Sequence, residues 1–146
     1  MSVVRVGLIT AFLTGTLVAG CGGGGGGSDV TNVKQSLTRE LAALADGDGA
    51  TACSLATAAG QARLEQAVPG ASCERVVKLL AERLPAQVKA GLRSAQINKV
   101  TVNGDTATVQ DADITSTRGS LSGFLQPGSA PTVLKKQPDE TWKISG

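Results

Sequence analysis

Apolar residues recur in threes and fours along the first half of the chain and alternate along the second half, a change from helical to strand period. Val30, Val33, Leu37, Leu41 and Leu44 fall on one helical face and predict a helix over about 29–45, capped by Ser28 or Asp29. Asp46-Gly47-Asp48-Gly49 ends that helix and caps a short second one, 50–58, which carries Cys53 and Leu55 and is closed by Gly60. Residues 61–68 read as a further turn or two, stopped by Pro69-Gly70. Ser72 caps a clearer helix over 73–84. Its stripe is Cys73, Val76, Val77, Leu80 and Leu84, with Glu74, Arg75, Lys78, Glu82 and Arg83 largely outside. Pro85 interrupts it, and Val88 and Leu92 mark a last helical segment.

From Ser94 onward, 97–102 and 106–114 are rich in Val, Ile and Thr, and Asn103-Gly104 between them is a strong hairpin signal. That turn sets Val100 opposite Ala107 and Thr101 opposite Thr106. Residues 115–126 are Ser-, Thr- and Gly-rich, a loop or weak edge strand. Residues 131–136 and 141–145 are two more strands, joined by a turn at 137–140. Helices first and a meandering antiparallel sheet after predict an α+β fold, with N-terminal helices packed on a curved antiparallel sheet.

The N-terminus carries a different signal. Arg5 precedes an almost wholly apolar run over 6–17, shorter than the ~20 residues of a membrane span. The run ends in Leu17-Val18-Ala19-Gly20-Cys21, which resembles the lipobox of bacterial lipoproteins. The resemblance implies a diacylglyceryl group on the Cys21 thiol and signal-peptidase cleavage between Gly20 and Cys21. Two acyl chains then suffice for stable anchoring. An uncleaved anchor or an ordinary secretory signal is the alternative. Six glycines follow, Gly22 to Gly27, a composition suited to a flexible tether. They lack the Gly-Lys-Ser/Thr ending of a phosphate loop. The expected organisation is a signal peptide over 1–20, a lipidated cysteine and tether over 21–28, and a folded domain over 29–146, held on the extracytoplasmic face of the cell membrane. Cys53 and Cys73 are then an even pair in an oxidising compartment, where a structural disulfide is expected. Free buried thiols are the alternative. The spacing is not the Cys-x-x-Cys of a redox pair.

Composition narrows the chemistry. In 146 residues, 14 Lys plus Arg against 12 Asp plus Glu leave a net charge of +2, no field for nucleic acid. Histidine and tyrosine are absent, which excludes a Ser-His-Asp triad and any imidazole metal site. Phe12, Phe124 and Trp142 are the only aromatics. Among the carboxylates, Asp105 and Asp139 fall in turns, and Asp111 and Asp113 share one strand face, expected to be solvated. A metal there needs further oxygen ligands that the sequence does not point to. Lys135, Lys136 and Lys143 read as a solvated sheet edge. No metal or cofactor is expected.

The order of elements carries a resemblance. A long helix ends in Ala-Asp-Gly-Asp, and two cysteine-bearing helices follow. A hairpin then reads Val100-Thr101-Val102-Asn103-Gly104-Asp105-Thr106-Ala107-Thr108-Val109, and the chain closes on Trp142-Lys143-Ile144. This is similar to the NTF2-like (SnoaL-like, cystatin-like) domains of exported actinobacterial lipoproteins. It departs from them at 115–130, which is loose where the family has a long strand. The resemblance implies helices packed into a curved sheet around a cone-shaped cavity. An apolar-ligand role takes its wall from residues such as Val100, Val109, Phe124 and Trp142, although a lone Trp late in a small domain is more often core shared between sheet and helix. Relatives that abstract protons pair a carboxylate base with an oxyanion hole of Tyr or protonated Asp. Without tyrosine, a binding role is expected rather than an enzyme: the membrane is one partner, through the lipid, and an envelope protein or small apolar ligand the other. An isomerase- or dehydratase-type enzyme and a structural accessory of the envelope are the rivals. An apolar pocket holding one buried, perturbed carboxylate favours the enzyme, and a filled cone favours an interaction role.

Overall fold

The structure is a computed structural model that describes residues 26–126 and 128–146. The apolar leader, Gly20, Cys21 and the first glycines after it lie outside the described residues. Five helices come first: α1 (Gly26–Asp46), α2 (Gly49–Leu55), α3 (Ala58–Gln66), α4 (Cys73–Arg83) and α5 (Ala86–Arg93). Six short strands follow: β1 (Ala95–Ile97), β2 (Thr101–Asn103), β3 (Thr106–Val109), β4 (Ile114–Ser116), β5 (Thr132–Lys136) and β6 (Trp142–Ile144). They form two open antiparallel sheets, one in the order β2-β3-β5-β6 and the other pairing β1 with β4. The fold is α+β.

Side-chain caps start three of the helices where the sequence places polar residues. Asp48 accepts from the Thr51 amide, Thr57 from the Gly60 amide and Ser72 from the Arg75 amide. α1 is already helical at Gly26, the first described residue, so the last residues of the expected tether belong to the helix. Asp29 is not a cap: its carboxylate accepts from Trp142 Nε1 at 3.2 Å and pairs with Lys136 Nζ at 3.1 Å. Those contacts tie this part of the helix to β5 and β6.

The apolar stripe of α1 lies at the centre of the molecule, against α2, α4 and α5 and against β1, β2 and β6. Val33, Leu37 and Leu41 join Leu92, Ala107, Val109, Leu134, Trp142 and Ile144 in the main core. A second cluster gathers Ala43, Leu44, Ala52, Cys53, Cys73 and Val77 around the Cys53–Cys73 disulfide, which ties α2 to the start of α4 across 6.1 Å between Cα atoms.

The strands depart from the sequence reading in three places. The expected strand over 97–102 is split between two sheets, β1 pairing with β4 and β2 with β3. The hairpin loop is Gly104-Asp105, not Asn103-Gly104, so Val102 faces Ala107 and Asn103 faces Thr106. With glycine first, only Gly104 takes a left-handed φ (58°), whereas the other loop requires positive φ at Asn103 as well. The shift is two residues, so every side chain keeps its expected face. The expected strand over 106–114 is broken by a 3₁₀ turn at Asp111–Asp113, where the chain passes from one sheet to the other. Asp111 and Asp113 therefore do not share a strand face. Asp111 accepts from the Gln126 amide and the Ser129 hydroxyl and ties down the following loop.

Candidate functional site

Glu40 lies on the buried face of α1, one turn after Leu37 and one before Leu44, and only 7% of its surface is exposed. It opens onto a cleft of about 240 Å³ lined by Ala56, Gly60, Arg63, Leu64, Ile144 and Gly146. Three segments build this cleft: the middle of α1, the α2–α3 corner and the end of the chain after β6.

The α3 wall buries little of itself, since Gly60 is its one buried residue. It is held by polar ties at both ends. The Thr57 amide donates to the Ile144 carbonyl at 2.7 Å, and Gln61 Nε2 donates to the Cys53 carbonyl at 2.6 Å. Glu65 accepts from the Cys73 amide at 3.1 Å. Glycine is required at 60 by close approach: a Cβ there would stand 2.5 Å from the Ile144 carbonyl oxygen.

No hydrogen bond or ion pair within the protein reaches the Glu40 carboxyl among the described residues, and its oxygens keep contact with the open cleft. Burial alone pushes it up to about 8, against an ordinary 4.5. At neutral pH it is mostly the neutral acid, with an O–H to donate. Arg63, on the exposed side of α3, brings a guanidinium to the same cleft and forms no ion pair among the described residues, with Glu40 or any other group. The cleft thus combines apolar walls, a neutral carboxylic acid on the buried side and an unpaired cation at the mouth.

The chain matches no known family model, no curated protein and no solved structure.

The four residues expected to wall a pocket do not line this cleft. Val109 and Trp142 are each 1% exposed and fill the core, while Val100 and Phe124 are half-buried and packed against it. They serve as packing rather than as a concave wall. Trp142 does border a polar surface groove beside Arg39 and Glu140. Asp105 and Asp139 lie in turns as expected, and hydrogen bonds from Thr141 hold Asp139 below its ordinary value. Lys136 is not part of a solvated edge, because it is mostly buried against Asp29. Among the described residues no cluster of three or more His, Cys, Asp or Glu is placed to hold a metal, and no helix is long and apolar enough to cross a membrane.

Glu40 is the residue that reading by inventory missed. The signal was present as a lone carboxylate inside the stripe Val33, Leu37, Leu41, Leu44. A charge there is either paired, exposed by a bend, or set on a cavity.

Proposed function

We propose that this chain is an exported, lipid-anchored binding protein of the NTF2-like kind, and that its folded part holds a small, largely apolar ligand in the Glu40 cleft. One observation carries the ligand reading: a residue more than nine-tenths buried whose carboxyl has no protein partner and opens onto apolar space. A ligand hydrogen-bonded to Glu40 supplies the partner that the protein does not. The lipobox-like Val18-Ala19-Gly20-Cys21 and the glycines after it support the anchor. The helical layer over an antiparallel sheet is consistent with the NTF2-like resemblance.

A second reading has its own support. A carboxyl with a pKa of about 8 in an apolar cleft is poised for general acid–base work near neutral pH. Binding is the simpler reading: it needs only the cleft and its two polar side chains, whereas turnover also needs a substrate's reacting atom held at the carboxyl.

Labelling with an alkyne fatty acid tests the anchor: the wild type takes up label and Cys21→Ser does not. Equal labelling of both defeats the lipoprotein reading. A thermal-shift screen of apolar metabolites, each hit followed by mass spectrometry, separates binding from turnover. A stabilising ligand recovered unchanged supports binding, and turnover lost in Glu40→Gln establishes the enzyme instead.

A further inference from the structure

We propose that the Glu40 cleft selects small carboxylic acids with a compact apolar body, the ligand's carboxylate being met by the Arg63 guanidinium and the Glu40 carboxyl. The inference rests on the reading of the cleft as a ligand site and adds the chemical class of the ligand.

Size limits the ligand first. About 240 Å³ lies below the ~300–1,000 Å³ of sites that take drug-sized molecules. Ala56, Leu64 and Ile144 offer only apolar side chains, and Gly60 offers none, so the body of the ligand is apolar. The two polar side chains decide its head group. Arg63 has only donors, in a planar fork suited to a carboxylate. Glu40 carries its own proton at neutral pH and donates as well. Both lack an acceptor among the described residues, and a carboxylate supplies two acceptor oxygens at once. An amine brings a second cation beside Arg63, and an amide brings no negative charge to the guanidinium.

The charges around Glu40 give the pH dependence its sign. On α1, its neighbours one turn away are Ser36, Leu37, Ala43 and Leu44, none charged. The α2–α3 corner presents Ala56, Gly60, Leu64 and the cation Arg63, and the end of the chain presents Ile144 and Gly146. Lys143, next along β6, alternates to the opposite face from Ile144. Bound carboxylate and ionised Glu40 therefore repel, and among the side chains that line the cleft only Arg63 opposes that repulsion. Affinity for a carboxylate falls once Glu40 loses its proton.

Three probes with one apolar body separate the possibilities: cyclohexanecarboxylate, cyclohexanecarboxamide and cyclohexylmethylamine. Each is titrated into the full chain in mild detergent, with the amides of Gly60, Arg63 and Ile144 followed by heteronuclear NMR. The carboxylate is expected to bind at least about tenfold more tightly than the other two near neutral pH. Arg63→Gln, on an exposed position, should cut carboxylate affinity by about tenfold and amide affinity by less than about twofold. Raising the pH from about 7 to about 9 should weaken carboxylate binding to the wild type and not to Glu40→Gln. Preference for the amide or amine at the same amides overturns the ligand class and leaves the cleft a ligand site. Failure of all three probes to shift those amides overturns both.

Discussion

Glu40 and Asp29 stand about three turns apart on α1 and have opposite electrostatic fates. Asp29 has two donors, Lys136 and Trp142, and hydrogen bonding from them holds it below its ordinary 3.8. Glu40 has none, and burial raises it. The raised group contributes stability that is fully present below about 4.5 and is lost as pH rises through about 8, because over that window the unfolded chain has already given up the proton that the folded protein keeps. The loss is on the order of a few kcal/mol. Glu40→Gln removes the titration. Urea unfolding should find wild type and variant close in stability below about pH 4.5, and the variant progressively the more stable as pH rises from there toward about 8. Parallel stability profiles for the two proteins would show that Glu40 ionises freely in the folded state.

At the scale of elements, α1 is fastened to the sheet near its first described turn. Glycine is a poor helix former, yet Gly26 and Gly27 are helical, and Asp29, just after them, is latched to β5 and β6. Asp29→Asn keeps the size and loses the charge. Its native carboxylate contributes stability present above the ordinary 3.8 and lost as pH falls through the lower folded value. The variant should therefore be less stable than wild type at neutral pH and converge with it in strong acid. Amide hydrogen exchange should quicken first over the opening turns of α1, with α4 and α5 unchanged. Uniform acceleration through the whole chain would mean that the latch stabilises the fold globally rather than the helix start.

For the whole molecule, the disulfide matters more than its place in the second core cluster suggests. The 20-residue separation between Cys53 and Cys73 encloses α3, the wall of the cleft that buries least and depends on ties at its ends. Closing a loop of this size stabilises by roughly 3 kcal/mol. Replacing both cysteines by serine should cost about that much in chemical denaturation, and it should loosen α3 ahead of the rest. Proteolysis at Arg63, on an exposed helix with one buried residue, is the measurement that separates the two effects. Cleavage there at wild-type rate in the double variant would show that α3 holds its place without the bridge.

Much of this was written in the chain. The stripes of α1 and α4, the caps Asp48 and Ser72, the cysteine pair and the helix-then-strand order are local or compositional signals, and the structure realises each of them. Helical stripes are legible because one face of 3.6-residue periodicity is all a helix needs to dock. What the tertiary structure decided depended on partners distant in sequence. Residues 97–102 divide between two sheets because β1 finds β4 and β2 finds β3, pairings that no local pattern records. Asp29 reads as a cap until Trp142 and Lys136 arrive beside it. Trp142 reads first as core and second as pocket wall, and Val109 as wall; the docking of α1 onto the sheet makes both core. Glu40 was visible as a charge in an apolar stripe. Whether that charge would be paired, solvated or stranded beside a cleft was settled where α3 and the end of the chain close over it, because the cost of a buried carboxyl depends on what surrounds it and not on its neighbours in sequence.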